Sequence, residues 1–174
     1  ITDSRSFRSY RYRSEIRHGR RQRDLEVRID YDRNLVRIRE HDVAAQPHRQ
    51  VRNVTHRDAP PYVSDTLSAF YAARLRVMRL GETYLMDLSD HGKIRTVELK
   101  VVKVQEISLD LGKFDTLKIS TVGGFFKDAG EFQIWYTRDA LRIPVRFEAD
   151  VRYGKIYGDL IRLQTPYMAK GRVR

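Results

Sequence analysis

The sequence contains no cysteine. That excludes disulfides, thiolate metal sites and cysteine nucleophiles together. It suits a bacterial export route, where an unpaired thiol is a liability, and it equally suits many cytosolic proteins. Lysine is missing from residues 1–60, which carry 15 Arg against 9 acidic residues, a balance of +6. The remaining chain holds 19 Arg plus Lys against 14 acids, so the net charge of +11 is spread along the molecule and is densest at its start. Such an excess attracts polyanions: nucleic acid, anionic lipid headgroups or acidic polysaccharide. Drift of ordinary surface positions toward Arg is the plainer explanation. No apolar run approaches the roughly 20 residues of a membrane-spanning helix. Hydrophobic residues at 41% and charged residues at 33% fit a folded domain with a polar surface. The chain starts at Ile1 without an initiator Met, which leads us to expect a processed or trimmed start.

Motifs for catalysis are equally scarce. No Gly-x-Ser-x-Gly elbow is present. No two of His18, His41, His48, His56 and His91 have the close spacing of a helical or hairpin zinc pair. Asp65 and His56 are near in sequence, but that alone builds no dyad. Asp87, Asp90, Glu98, Asp139, Glu148 and Asp150 mostly alternate with apolar neighbours and so read as solvent-facing, with Asp139 bonding its own turn. "VGGFFKDAG" has neither the spacing nor the following helix of a phosphate loop and reads as a hairpin turn. No catalytic residue, metal ligand or cofactor is expected.

What the chain does have is alternation. In "DLEVRIDYD" Leu25, Val27, Ile29 and Tyr31 share one face, and "LVRIRE" resumes with Val36 and Ile38 after a "DRN" turn. This is a hairpin pattern. Residues 1–23 read as a basic first strand or a basic aromatic arm turning at Gly19. Residues 41–63 read as a long loop with a short strand near Val51 to Val54. After Gly81 the pattern is strand throughout, with turns at Asp90-His91-Gly92, Gly112 and "TRDAL". The apolar phase changes at Val101-Val102, which predicts a bulge or bend there. In "RIPVRFEADV" Ile143, Val145, Phe147, Ala149 and Val151 face one way. Pro144, which cannot donate to a ladder, marks an edge or a bulge. Gly154 and Gly158 suggest a sharply bending last strand, and residues 167–174 a basic tail.

One segment reads as a helix, about residues 64–78. Ser64 or Asp65 caps it. Leu67, Phe70, Tyr71, Leu75 and Met78 form an apolar stripe that should lie on a sheet face. The expected fold is one all-β, mainly antiparallel domain over 1–174. It would be a single curved sheet or partial barrel of meander topology, with the helix on its concave face.

From Pro61 onward the order of motifs resembles a bacterial family known as domain of unknown function 3108. The carrying residues are "SDTLSAFYAARL", "LGETYLMDLSDHGKIRTVELKVVKVQEI", "GKFDTLKIS" and above all "GEFQIWYTRDALRIPVRFEADVRYGKIYGDLI". The "DRNLVRIRE" hairpin extends the resemblance to roughly residues 24–165. It implies an exported protein built on a curved antiparallel sheet with one inserted helix, and no activity that transfers by residue. The Arg-rich front and the long segment before the helix depart from the pattern.

The resulting expectation is a non-enzymatic binding or structural protein of the cell envelope, periplasmic or otherwise outside the cytoplasm. It would hold a lipid, an anionic polymer or a partner protein. The alternative is a cytoplasmic accessory protein binding nucleic acid, since "RSFRSYRYR" interleaves Arg with stacking aromatics. Candidate anion or partner contacts are Arg5, Arg8, Arg11, Arg13, Arg20, Arg21 and Arg23. Candidate apolar cleft residues are Leu67, Phe70, Tyr71 and Trp135. Oligomeric state is left open.

Overall fold

The computed structural model describes residues 7–90, 92–123, 130–151 and 154–164. The basic tail, the "GFFKDA" part of the glycine-rich turn and Arg5 lie outside these residues. The fold is all-β with one short helix, but strands form two sheets where one was expected. The first is a meander of β1 (Arg11–His18), β2 (Arg21–Asp30), β3 (Leu35–Asp42) and β4 (Arg49–His56), in that order. The second runs in the order β11-β10-β9-β8-β7-β6-β5. Its strands are β5 (Ser64–Asp65), β6 (Thr83–Asp90), β7 (Lys93–Leu109), β8 (Gly112–Val122), β9 (Phe132–Thr137), β10 (Pro144–Val151) and β11 (Gly154–Asp159). The chain divides into two compact units, residues 1–77 with 84–98, and residues 78–83 with 99–174.

The first unit builds its core from the alternation read in the sequence. Val27, Ile29, Val36 and Ile38 are buried with Ala59 and Val63, and Tyr12, Leu25, Tyr31 and Ile94 pack around them. Asn34 takes a positive φ of 50° in the β2–β3 turn, where Asp30 accepts a hydrogen bond from Arg33 N at 3.1 Å. Asn and Asp tolerate this conformation because their short side chains bond locally.

Residues 41–63 are not one long loop: the short strand expected near Val51 to Val54 is present as β4 and extends over Arg49–His56. β3 continues to Asp42, and β4 pairs with it from Val36↔His56 to Asp42↔Arg49. β4 escapes an apolar pattern because it is a sheet edge: only Arg52, Val54 and His56 are half-buried, and the rest is exposed. Ion pairs replace apolar contacts, with Arg52 at 3.4 Å from Glu40 and Arg49 at 3.7 Å from Asp42.

The helix α1 (Thr66–Ala72) is shorter than expected and continues as a 3-10 turn, Ala73–Leu75. Ser64 and Asp65 pair in parallel with Leu88 and Ser89 of β6, so the chain before α1 is strand. Asp65 is the cap, its Oδ1 accepting from Leu67 N and Ser68 N at 3.0 Å each. The apolar stripe is only partly covered, with Phe70 half-buried and Met78 buried. Leu67, Tyr71 and Leu75 are exposed, while Ser68, Ala69 and Ala73 are buried. Small residues on the inner side let the helix backbone approach closely, and the two-residue parallel ladder at β5 fixes its roll.

The second unit holds a separate cluster of Ile107, Trp135 and Val145, flanked by Leu109, Phe114, Ile143 and Leu160. In β7 the inward positions Val97, Val101 and Ile107 keep one phase, and Val102 and Val104 are exposed. The expected flip at Val101-Val102 is therefore absent: valines occupy both faces of an unbroken strand. The bulge lies at Pro144 instead, where the register with β9 shifts between Pro144 and Arg146. In the turn before it, Asp139 Oδ1 accepts from Leu141 N and Arg142 N at 2.9 and 3.1 Å, as expected for Asp139.

Gly158 sits opposite Phe147 in the β10–β11 ladder. A Cβ there would lie 2.8 Å from Phe147 Cζ, and that ring is stacked on Phe132 at 6.2 Å. The half-buried ring would have to shift against Phe132 to admit a methyl group. Gly158→Ala is expected to lower stability by about 1–3 kcal/mol through overpacking, read by denaturant unfolding. A wild-type midpoint would contradict the packing.

Candidate functional site

The arginines singled out from the sequence are mostly engaged with their own sheet. Arg11 Nε donates to Glu26 Oε1 at 2.6 Å, and Arg13 Nε to the same oxygen at 3.2 Å. Arg23 pairs with Asp42 and lies 3.8 Å from Glu40. Partial burial raises the Glu26 pKa, but hydrogen bonds and charges from Arg13 and Arg28 outweigh it and hold the carboxyl below its usual range. Asp42 is likewise held low, chiefly by its bond from Arg23. Arg20 lies exposed in the Gly19 turn. Arg21 is described in its backbone only, paired with His18.

Arg8 is different: it is stacked on aromatics. Its guanidinium lies 5.0 Å from the centroid of Tyr31 and 5.7 Å from that of Tyr62. Cation–π contacts of this kind contribute about 0.5–2 kcal/mol, more when water is excluded. Tyr10 meets Tyr31 edge-on at 5.4 Å. Phe7, with a positive φ of 52°, stacks on Tyr71 at 6.1 Å beneath the Arg74 guanidinium at 5.8 Å. A non-glycine residue in that region is strained by about 1–3 kcal/mol and persists only where its surroundings hold it.

The Tyr31 hydroxyl ties this corner together. It accepts from Ser9 N at 3.1 Å and donates to Val63 O at 2.9 Å. Three separate chain segments thereby meet at one oxygen: the N-terminal stretch, the end of β2 and the approach to α1. Together with α1 and β6 they enclose a cleft of about 540 Å³ in the first unit. Its walls include Phe7, Arg8, Tyr31, Tyr62, Leu75, Arg76, Leu85, Met86 and Asp87. Tyr62, Leu75 and Leu85 are more than half exposed at this cleft, at 68%, 56% and 63%. Asp87 accepts from Thr96 Oγ1 at 2.6 Å.

The cleft expected from Leu67, Phe70, Tyr71 and Trp135 is not one site. Trp135 belongs to the core of the second unit, with Lys118 Nζ 4.9 Å above its ring. Phe70 is half-buried in α1, and Leu67 and Tyr71 are exposed on it. The residues missed in the sequence are Tyr31 and Tyr62. Tyr31 read as an inward strand position; it lies one residue past β2, in the turn, half-buried against the first core. Its polar tip gave no signal, because its partners are main-chain groups of distant segments. Among the described residues no three metal-ligating side chains converge, and no helix is long and apolar enough to cross a membrane.

Burial pushes the Tyr31 pKa up to about 12, against the pull of the Ser9 hydrogen bond and the Arg8 charge. A free tyrosine ionises near pH 10. The folded value is the higher one, so this stabilisation is complete below about pH 10 and drains away as pH rises toward 12. In an ultraviolet titration, the difference between wild type and Tyr31→Phe should show one tyrosine that stays protonated until close to pH 12. Ionisation of Tyr31 near pH 10 in the folded protein would contradict the buried hydroxyl.

Comparison with protein families gives a match to the model described as "Protein of unknown function (DUF3108)" over residues 1–161. That span takes in the Arg-rich front and β4. No curated protein and no solved structure matches the chain significantly. With the match covering almost its whole length, the chain belongs to the DUF3108 family.

Proposed function

We propose that the protein is a non-enzymatic, exported component of the cell envelope that binds an apolar or amphipathic molecule in the Arg8–Tyr31–Tyr62 cleft. The observation carrying this reading is the cleft's composition. Aromatic and aliphatic walls supply desolvation, and two guanidinium groups, Arg8 and Arg76, supply positive charge at the same cavity. Pockets that hold small molecules have this character: mostly apolar, with a few polar groups that fix orientation. A chain with an acidic head would place its tail against Tyr62, Leu85 and Met86 and its head toward Arg8. The excess of positive charge over the whole chain favours approach of such anions. Export is supported by the resemblance set out above, and the lack of thiols is compatible with it.

A dansyl-labelled fatty acid serves as the probe. Saturable binding is expected, with affinity lowered about tenfold by Tyr62→Ala and by Leu85→Ala, since each removes roughly one apolar side chain's worth of burial. Tyr157→Ala, an exposed residue of β11, should leave it unchanged. Fractionation of cells expressing the full-length gene should recover the protein outside the cytoplasm. Absence of saturable binding would sink the ligand reading, and recovery solely in the cytosol would sink the export reading.

A further inference from the structure

The outward side of α1 presents a feature the cleft does not explain. Leu67, Tyr71 and Leu75 recur every fourth residue and form one line, 56%, 47% and 56% exposed. Val77, 59% exposed, follows immediately. The inward side is the one made of small and polar residues, Ser68, Ala69 and Ala73. An isolated surface leucine needs no explanation, but a helix whose apolar line faces solvent while serine faces the core does.

Charge decides among the possible occupants. Residues 66–77 carry Arg74 and Arg76 and no acidic residue. The nearest acid in sequence, Asp65, is buried beneath the helix as its cap. The strip is three half-exposed side chains, well short of the roughly 800 Å² that each partner contributes to a stable protein–protein interface. A second copy of the chain would also bring Arg against Arg. Leucine and tyrosine in a line, flanked by guanidinium groups, is instead the composition that seats in the headgroup–acyl boundary of an anionic bilayer. Tyrosine is at home there, with its ring in the apolar layer and its hydroxyl in water.

We infer that the Leu67–Tyr71–Leu75 face, with Arg74 and Arg76, docks the protein peripherally on an anionic lipid surface. Three partly inserted apolar side chains and two cations give weak, reversible attachment that depends on ionic strength. This surface adjoins the cleft and shares Leu75 and Arg76 with it, whereas Leu67, Tyr71 and Arg74 do not line the cleft and separate the two readings.

The test is cosedimentation with vesicles of phosphatidylglycerol and phosphatidylcholine, against vesicles of phosphatidylcholine alone. Wild type should pellet with the anionic vesicles at low salt, and less as salt rises. The double substitution Leu67→Asp/Tyr71→Asp should reduce binding at least tenfold while keeping the wild-type circular dichroism. Leu67→Asp alone keeps the Phe7–Tyr71 stack and should reduce binding several-fold. Arg74→Gln/Arg76→Gln should weaken binding to anionic vesicles. Binding of the dansyl fatty acid should survive Leu67→Asp, so failure of docking and failure of the cleft reading are distinguishable. Wild type left in the supernatant, pelleting unaffected by Leu67→Asp/Tyr71→Asp, or a dimer broken by those substitutions without vesicle binding would each overturn the inference.

Discussion

The first unit depends on one buried carboxylate. Asp65 is 2% exposed, and its Oδ1 takes the two first-turn N–H groups that α1 cannot satisfy internally. The residue also pairs in the ladder with Ser89, in the only parallel strand pair among the described residues. A group fixed at once by a ladder and a cap allows the following helix one roll angle. That roll sends Ser68, Ala69 and Ala73 inward and Leu67, Tyr71 and Leu75 outward. Both proposed surfaces follow from it, because Ala72 and Leu75 complete the cleft wall while Leu67 and Tyr71 form the outer line.

The rest of the first unit shows how a very basic sequence folds without self-repulsion. Arginines on β1, β2 and β4 face carboxylates on β2 and β3: Arg11, Arg13 and Arg28 at Glu26, Arg17 at Asp24, and Arg52 at Glu40. Each exposed pair contributes little alone, but shared partners reduce the ordering cost and fix register. In the second unit the counterpart is Arg146, whose two bonds to Asp159 at 2.6 and 2.7 Å tie β10 to β11 beside the buried Val145. Arg8 adds to this pattern a stack on two tyrosines, Tyr31 and Tyr62.

Legibility followed the strength of the local pattern. Val27, Ile29, Val36 and Ile38 alternate with charges, and all four are core residues. Pro144 announced a bulge because its chemistry permits little else in a strand. β4 was legible only as a short strand near Val51 to Val54, because an edge strand held by ion pairs needs no apolar face. The second phase of valines at Val102 and Val104 mimicked a bulge because β-branched residues favour strands even where they are exposed. The helix was readable as a helix, but a 3.6-residue period states only that two faces differ. Which one turns inward was decided by the ladder at Ser64 and Asp65, a contact with a strand far along the chain. The cleft was hidden for the same reason, since Arg8, Tyr31 and Tyr62 meet only after the first sheet has formed.

The absence of cysteine makes the roll of α1 directly measurable, since any introduced thiol is the sole one in the protein. Single substitutions to cysteine at Leu67, Tyr71, Ala69 and Ala73 can be timed against a small thiol reagent under native conditions. The account predicts fast labelling of Leu67→Cys and Tyr71→Cys, and protection of Ala69→Cys and Ala73→Cys until the protein is unfolded. Slow labelling at Leu67 and Tyr71 with fast labelling at Ala69 and Ala73 would mean that the apolar line faces the core, and would remove the basis of both surfaces.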